Sequence, residues 1–172
     1  MDPFCGTGVV LQEALLMGYE AYGTDLEPRM IDYTKANLTW LQQTYALSPM
    51  PYTLETADAT TYQWKSLNNQ SSTTNVVIAC ETYLGRPFTE RPTSAILSQT
   101  ITEVNLILKR FLQNIKPQLL PGTRLCLALP CWFDGREQKH LPLLAHLSDM
   151  GLSAPGSNTQ QTKTSFITAR GR

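Results

Sequence analysis

Charge is scarce in this sequence. Asp, Glu, Lys and Arg make up 16% of its 172 residues, against about 25% in an ordinary globular domain. The 14 basic and 14 acidic side chains cancel. That leaves no basic footprint of the kind a free-standing nucleic-acid binder uses to hold phosphates. Cysteine is also sparse, at positions 5, 80, 126 and 131, with no Cys-x-x-Cys pair. The four read as reduced thiols of a cytoplasmic protein, not as a disulfide framework. No run of 18 apolar residues occurs, so no membrane-spanning helix is expected. Met1-Asp2-Pro3-Phe4 has no basic segment and no apolar stretch behind it, so it does not read as a secretory signal. No internal repeat and no domain boundary is visible, which leaves a single domain over 1–172.

What is there is 42% hydrophobic, in a length that suits one self-sufficient core. Apolar runs and helical patterns alternate. Val9–Met17 has helical spacing behind a glycine turn. Glu20–Thr24 reads as a strand ending at Asp25. Pro28 opens a helix reaching about Tyr45, with Met30, Tyr33, Trp40 and Leu41 as its apolar members. Tyr52–Thr56 is a strand, 65–75 a polar connector, and Val76–Ala79 a strand apolar on both faces. A loop over 83–93 precedes the clearest helix, in which Leu97, Ile101, Val104, Leu108, Phe111 and Ile115 recur at intervals of four and three. A strand from Arg124 to Leu129, a helix from His140 to Met150 closed by Gly151, and a last strand at Ser165–Ala169 complete the pattern. Alternating strands and helices predict an α/β protein, a largely parallel sheet covered on both faces.

The first chemical signal is Asp2-Pro3-Phe4-Cys5-Gly6-Thr7-Gly8, which opens directly into a helix. Gly6 and Gly8 let the backbone turn sharply and approach a ligand, and the helix start offers unpaired N–H groups. Asp25 follows Gly6 by 19 residues, at the end of the next strand, where a carboxylate can accept hydrogen bonds from both ribose hydroxyls of a nucleoside. Leu11 stands where a dinucleotide fingerprint needs a third small residue, and no Gly-Lys-Ser/Thr follows for a P-loop. An acid ahead of the glycines repels pyrophosphate and attracts the sulfonium and ammonium of S-adenosylmethionine.

These residues, with Gln12-Glu13-Ala14 and Gly23-Thr24-Asp25, resemble the amino-methyltransferase branch of the S-adenosylmethionine-dependent methyltransferases. The closest similarity is to the THUMP-associated tRNA guanine-N2 methyltransferases. The likeness continues through Ala57-Asp58-Ala59 and from Ile115-Lys116-Pro117 to Leu127-Ala128-Leu129-Pro130, loosening after Pro130. It implies a Rossmann-like methyltransferase fold with a mostly parallel sheet and an antiparallel last strand. It implies S-adenosyl-L-methionine as cofactor, held at Asp2, Pro3, Cys5, Gly6, Thr7 and Gly8. Asp25 would take the ribose, Leu26 would pack on the adenine ring, and Asp58 with Ala59 would meet the adenine amine. The implied reaction is methyl transfer to an exocyclic base amine of RNA, guanine N2 of tRNA first. A cofactor-binding module without that activity, or an enzyme for DNA adenine or a small molecule, are the alternatives.

The family sets its catalytic tetrapeptide, an Asp or Asn, two prolines and an aromatic, after the fourth strand. An acceptor pair there draws on the amine hydrogens while the aromatic stacks on the flipped base. This sequence has Glu81-Thr82-Tyr83-Leu84. Glu81 matches by type, and Tyr83 supplies a ring one position early, so these two are the expected catalytic residues. The first strand of this fold lies between the second and fourth, and here it is truncated to Met1–Phe4. The expectation is the C-terminal part of a longer protein, or a chain read from an internal start, with the tRNA grip on a module absent from this chain and the neighbouring strands poorly bridged.

Other clusters carry less. Cys126, Cys131, His140 and His146 have the composition of a zinc set, but the histidines are six apart on a predicted helix and point differently. No metal is expected. Trp132 and Phe133 are candidates to line an acceptor pocket, and Arg86, Arg91, Arg170 and Arg172 to touch phosphates.

Overall fold

The computed structural model describes residues 1–68, 76–134 and 136–153, and the backbone of 164–169. Gly8 ends the glycine turn and caps helix α1 (Val9–Leu16). Strand β1 (Ala21–Asp25) leads to helix α2 (Pro28–Tyr45), whose first position is the expected proline. Strand β2 (Tyr52–Thr56) follows, then a short helix α3 (Lys65–Asn68). Strand β3 (Val77–Glu81) runs two residues beyond its predicted end, so Glu81 is the last strand residue. Helix α4 (Ser94–Ile115) is capped by the Thr93 hydroxyl, which accepts from the Ile96 N–H at 3.3 Å. Strand β4 (Arg124–Ala128) precedes a small hairpin of β5 (Trp132–Phe133) and β6 (Gln138–Lys139), then β7 (Leu152–Ser153) and β8 (Thr164–Ala169).

β1 pairs with β2 and β3 with β4, both parallel, while β8 runs antiparallel beside β4 and β7 beside β8. The predicted sheet, its antiparallel last strand and its helices on both faces are therefore present. Met1 and Asp2 join the two halves more firmly than the sequence suggested. The Met1 carbonyl accepts from Ala79 N–H at 3.0 Å, Asp2 N–H donates to Tyr22 O at 2.8 Å, and Thr24 N–H donates to Asp2 O at 2.9 Å. With the parallel Asp2–Gly23 bridge, the carboxyl ends of the stub, β1, β2, β3 and β4 all open on one edge. In parallel sheets ligands bind at that edge.

Two apolar clusters cover the sheet. Successive strand residues face opposite sides, and Ala21 packs with Leu11, Leu15, Leu38 and Leu41 while Tyr22 packs with the cluster around Phe111 and Trp64. α1 and α2 thus cover one face and α4 the other. Leu97, Val104, Leu108, Phe111 and Ile115 are all buried, as their spacing predicts. Phe111 meets Phe4 edge-on at 5.0 Å, which pins the residue before the glycine turn to this core.

Three expectations are corrected. The helix expected over His140–Met150 is replaced by two 3₁₀ turns, Pro142–His146 and Ser148–Met150. His140 lies before them, beside β6. Leu141, Leu144 and Leu147 recur every three residues, a spacing that serves a 3₁₀ turn as well as an α-helix, and the Asn105 side chain takes the Leu143 N–H at 2.9 Å. Gly151 does close the segment in the left-handed region. On α2, the buried residues are Thr34, Leu38 and Leu41, while Tyr33 and Trp40 are exposed. The polar connector 65–75 begins with α3, and its remainder from 69 lies outside the described residues, as do Arg170 and Arg172.

Candidate functional site

The glycine turn is tied to both strand and helix. Gly6 and Gly8 have φ of 52° and 86°, values that side-chain-bearing residues seldom adopt. The Gly6 N–H donates to Asp25 Oδ2 at 2.9 Å, and the Glu27 N–H donates to Asp25 Oδ1 at 3.0 Å. Each carboxylate oxygen keeps a free lone pair, so Asp25 is braced and still able to accept from a ribose. A Cβ at Gly6 would meet nothing within 4 Å, so the turn is open on that side. Leu26 is 63% exposed beside it. Asp58 is exposed two residues past β2, its Oδ1 accepting from the Thr60 N–H and hydroxyl, both at 2.8 Å. The Ala57 N–H donates to Asp25 O at 2.8 Å, which sets the two acids on adjacent strand ends. Ala59 is buried in the cluster with Trp64 and Phe111.

Asp2 and Pro3, both buried, lead into the turn alongside β1. Asp2 is 2% exposed and accepts from the Phe4 N–H at 3.0 Å. Burial pushes its carboxyl up to about 7, and the charges of Asp25 and Glu81 add to that. Cys5 is buried, and desolvation drives its thiol up to about 12, which removes it as a nucleophile. Cys80 is buried and shifted upward for the same reason. Both act as packing residues. Thr7 is exposed at the top of the turn.

Glu81 is exposed at the carboxyl end of β3, opposite Ala128 of β4. Thr82 is buried, and its N–H and hydroxyl both donate to Ala128 O, at 3.2 and 3.0 Å. Tyr83 is half-buried and its hydroxyl donates to Glu103 Oε1 on α4 at 3.2 Å, an arrangement that, after burial, raises its pKa. The loop beyond is tied to the β5–β6 hairpin through Arg91, whose guanidinium donates to Asp134 O. Phe133 is 69% exposed on that hairpin while Trp132 packs against the core. Cys131 Sγ lies 4.0 Å from His140 Nε2. Among the described residues no three His, Cys, Asp or Glu side chains gather as a metal set, and no helix is long and apolar enough to cross a membrane.

Solved structures share this fold. A S-adenosylmethionine-dependent methyltransferase from Clostridium acetobutylicum superposes with a TM-score of 0.59 at 12% identity, over 99% of this chain and 83% of that one. A TehB-like methyltransferase from Corynebacterium glutamicum gives 0.57 at 17% identity, over 98% and 78%. TrmN from Thermus thermophilus gives 0.54 at 17% identity, over 98% of this chain and 42% of that one. The fold is that of S-adenosylmethionine-dependent methyltransferases. The likeness read from the glycine turn and its acids is borne out at this level. In sequence, 38 residues are 53% identical to the tRNA (guanine(10)-N2)-dimethyltransferase of Methanothermobacter thermautotrophicus, a stretch of 22% of this chain and 11% of that relative. No protein-family model matches the chain.

On this methyltransferase fold, several contributors escaped the sequence reading. Thr34 and Asn37 of α2 hold the carbonyls of Gly6 and Thr7, each at 2.8 Å. Thr34 sits in the stripe with Leu38 and Leu41, and a hydroxyl at a core position was the available signal. Tyr22 and Tyr62 both donate to Glu55 Oε2, the second at 2.6 Å. This bond pair holds Glu55 below the usual carboxylate range.

Proposed function

We propose that the chain binds S-adenosyl-L-methionine and transfers its methyl group to an exocyclic base amine of RNA, guanine N2 of tRNA first. The observation that carries the reading is the Asp25 carboxylate, braced by two backbone N–H groups at the mouth of an open glycine turn. The residues present fit the cofactor. Asp25 offers acceptors to the ribose hydroxyls, Leu26 an exposed apolar face to the adenine, and Asp58 a carboxylate to its amine. Asp25 and Glu81, joined by Asp2 where it ionises above about pH 7, lend the site negative potential that favours a cationic ligand. When bound, the cofactor supplies an electrophilic methyl on a sulfonium.

The chain's own work is alignment. Glu81, exposed at the end of β3, would accept a hydrogen bond from the acceptor amine and turn its lone pair out of the ring. Tyr83 would face the base, with its hydroxyl anchored on Glu103. The match of 38 residues to a tRNA guanine-N2 dimethyltransferase supports the tRNA acceptor. The test is mass spectrometry of tRNA nucleosides after incubation with cofactor. Wild type is expected to raise N2-methylguanosine and Glu81→Ala to lose at least about 99% of that, the scale of removing a positioned acid–base group. Equal methylation by both would take Glu81 out of the mechanism.

A second reading has its own support. Thr82 and Tyr83 spend their hydroxyls on Ala128 and Glu103, so this loop is also consistent with a cofactor-binding module lacking amine methylation. That module would bind the cofactor by calorimetry and methylate no RNA.

A further inference from the structure

We propose that Thr34, with Asn37 beside it, is a positioning residue that sets the ribose-binding carboxylate of Asp25 by holding Gly6 in its left-handed conformation. The inference rests on the cofactor reading above. Thr34 is 0% exposed in the core stripe of α2. A hydroxyl there needs a partner, and it has one in the turn, donating to Gly6 O at 2.8 Å with Cys5 Sγ at 3.9 Å. The N–H of the same residue donates to Asp25 Oδ2 at 2.9 Å. Thr34 therefore grips one end of Gly6 and Asp25 the other. One turn further along the helix, the Asn37 amide donates to Thr7 O at 2.8 Å. Two consecutive carbonyls of the turn are thus anchored on α2.

The grip matters because Gly6 has no side chain to restrict it. Its φ of 52° is one of many values that glycine reaches freely, and a Cβ there would touch nothing within 4 Å. Packing does not define this residue, whereas hydrogen bonds do. Without the Thr34 hydroxyl, the turn samples conformations in which the Gly6 N–H leaves Asp25, and the carboxylate loses its brace. Affinity then falls in proportion to the fraction of molecules that keep the binding-competent turn.

Thr34→Val preserves shape and removes the hydroxyl. Titration calorimetry with S-adenosylmethionine and with S-adenosylhomocysteine, run well below the melting temperature of each variant, reads the effect. Thr34→Val is expected to weaken both ligands roughly tenfold, the scale of a lost buried hydrogen bond. Thr34→Ser restores the hydroxyl and is expected to return within threefold of wild type. Thr39→Val is the control, because the Thr39 hydroxyl bonds Lys35 O on the exposed face of the same helix; it is expected to bind as wild type does. A Thr34→Val protein that binds both ligands within twofold of wild type overturns the inference and leaves the cofactor reading standing. So does a Thr34→Ser protein as weak as Thr34→Val, since the cause is then packing. A wild type that binds neither ligand overturns the cofactor reading, and this inference with it.

Discussion

Gly8→Ala is expected to destabilise the protein by about 3 kcal/mol, and Gly6→Ala by about 1 kcal/mol. Both glycines have positive φ, at 86° and 52°, and placing a Cβ in the left-handed region costs about 1–2 kcal/mol by itself. The two differ in what surrounds the added carbon. At Gly8 it would lie 2.7 Å from Thr34 Cγ2 and 3.1 Å from Thr34 Oγ1, whereas at Gly6 it would meet nothing within 4 Å. Thr34 cannot swing aside, because it is wholly buried and its hydroxyl is committed to Gly6. Overpacking of this kind adds about 1–3 kcal/mol. Urea denaturation of the two variants side by side measures the difference. Equal midpoints would mean that α2 does not press on the turn. The damage also reaches the site, since any shift of Thr34 releases the Gly6 carbonyl and, through it, Asp25. Gly8→Ala should therefore lose cofactor binding as well as stability.

The elements that position this turn were readable because their signals are local. The strand Tyr52–Thr56, the proline opening α2 and the apolar spacing of α4 each follow from backbone chemistry or periodicity within a few residues. The acids at 25 and 58 were readable for the same reason, each lying at or just past the end of a strand. What escaped depends on contacts between elements distant in sequence. Thr34 serves the turn from 28 residues away, and its role appears when α2 docks on the sheet. Tyr33 and Trp40 drew attention as large apolar residues, but the docked face of the helix runs through Thr34, Leu38 and Leu41. In place of the α-helix expected over His140–Met150 stand two 3₁₀ turns, since leucines three apart fit either helix type, and the Asn105 side chain of α4 accepts the Leu143 N–H there. Thr82 and Tyr83 show the same limit at the site. Only the fold reveals that their hydroxyls are bonded to Ala128 and Glu103.

Asp2 should make the protein lose stability as pH rises, and Asp2→Asn should remove that loss. Its carboxyl stands at about 7 in the folded chain, against 3.8 for the free group. Between those values the folded state keeps a proton that the unfolded state has released. The folded state binds more protons, so the unfolding free energy falls with pH across this window and levels off above about 7. The difference between 3.8 and about 7 corresponds to about 4 kcal/mol. Asn keeps the acceptor for the Phe4 N–H and carries no charge. Asp2→Asn should match wild type near pH 4 and exceed it by up to about 4 kcal/mol near pH 8. Taking the difference between the two proteins cancels groups that shift the other way, such as Glu55 and Asp134. Denaturant titrations at several pH values give the curve, and parallel curves for the two proteins would show that Asp2 ionises as freely as it does in water. An acid kept at such a cost fits a site for a cation. A sulfonium nearby favours the ionised carboxylate, so S-adenosylmethionine should bind more tightly at pH 8 than at pH 6. Its product, in which a neutral thioether replaces the sulfonium while the ammonium remains, should bind with a flatter pH profile, and Asp2→Asn should bring the two profiles together. The same substitution that stabilises the fold is then expected to weaken its hold on the charged ligand, because both effects come from one buried carboxylate beside Asp25 and Glu81.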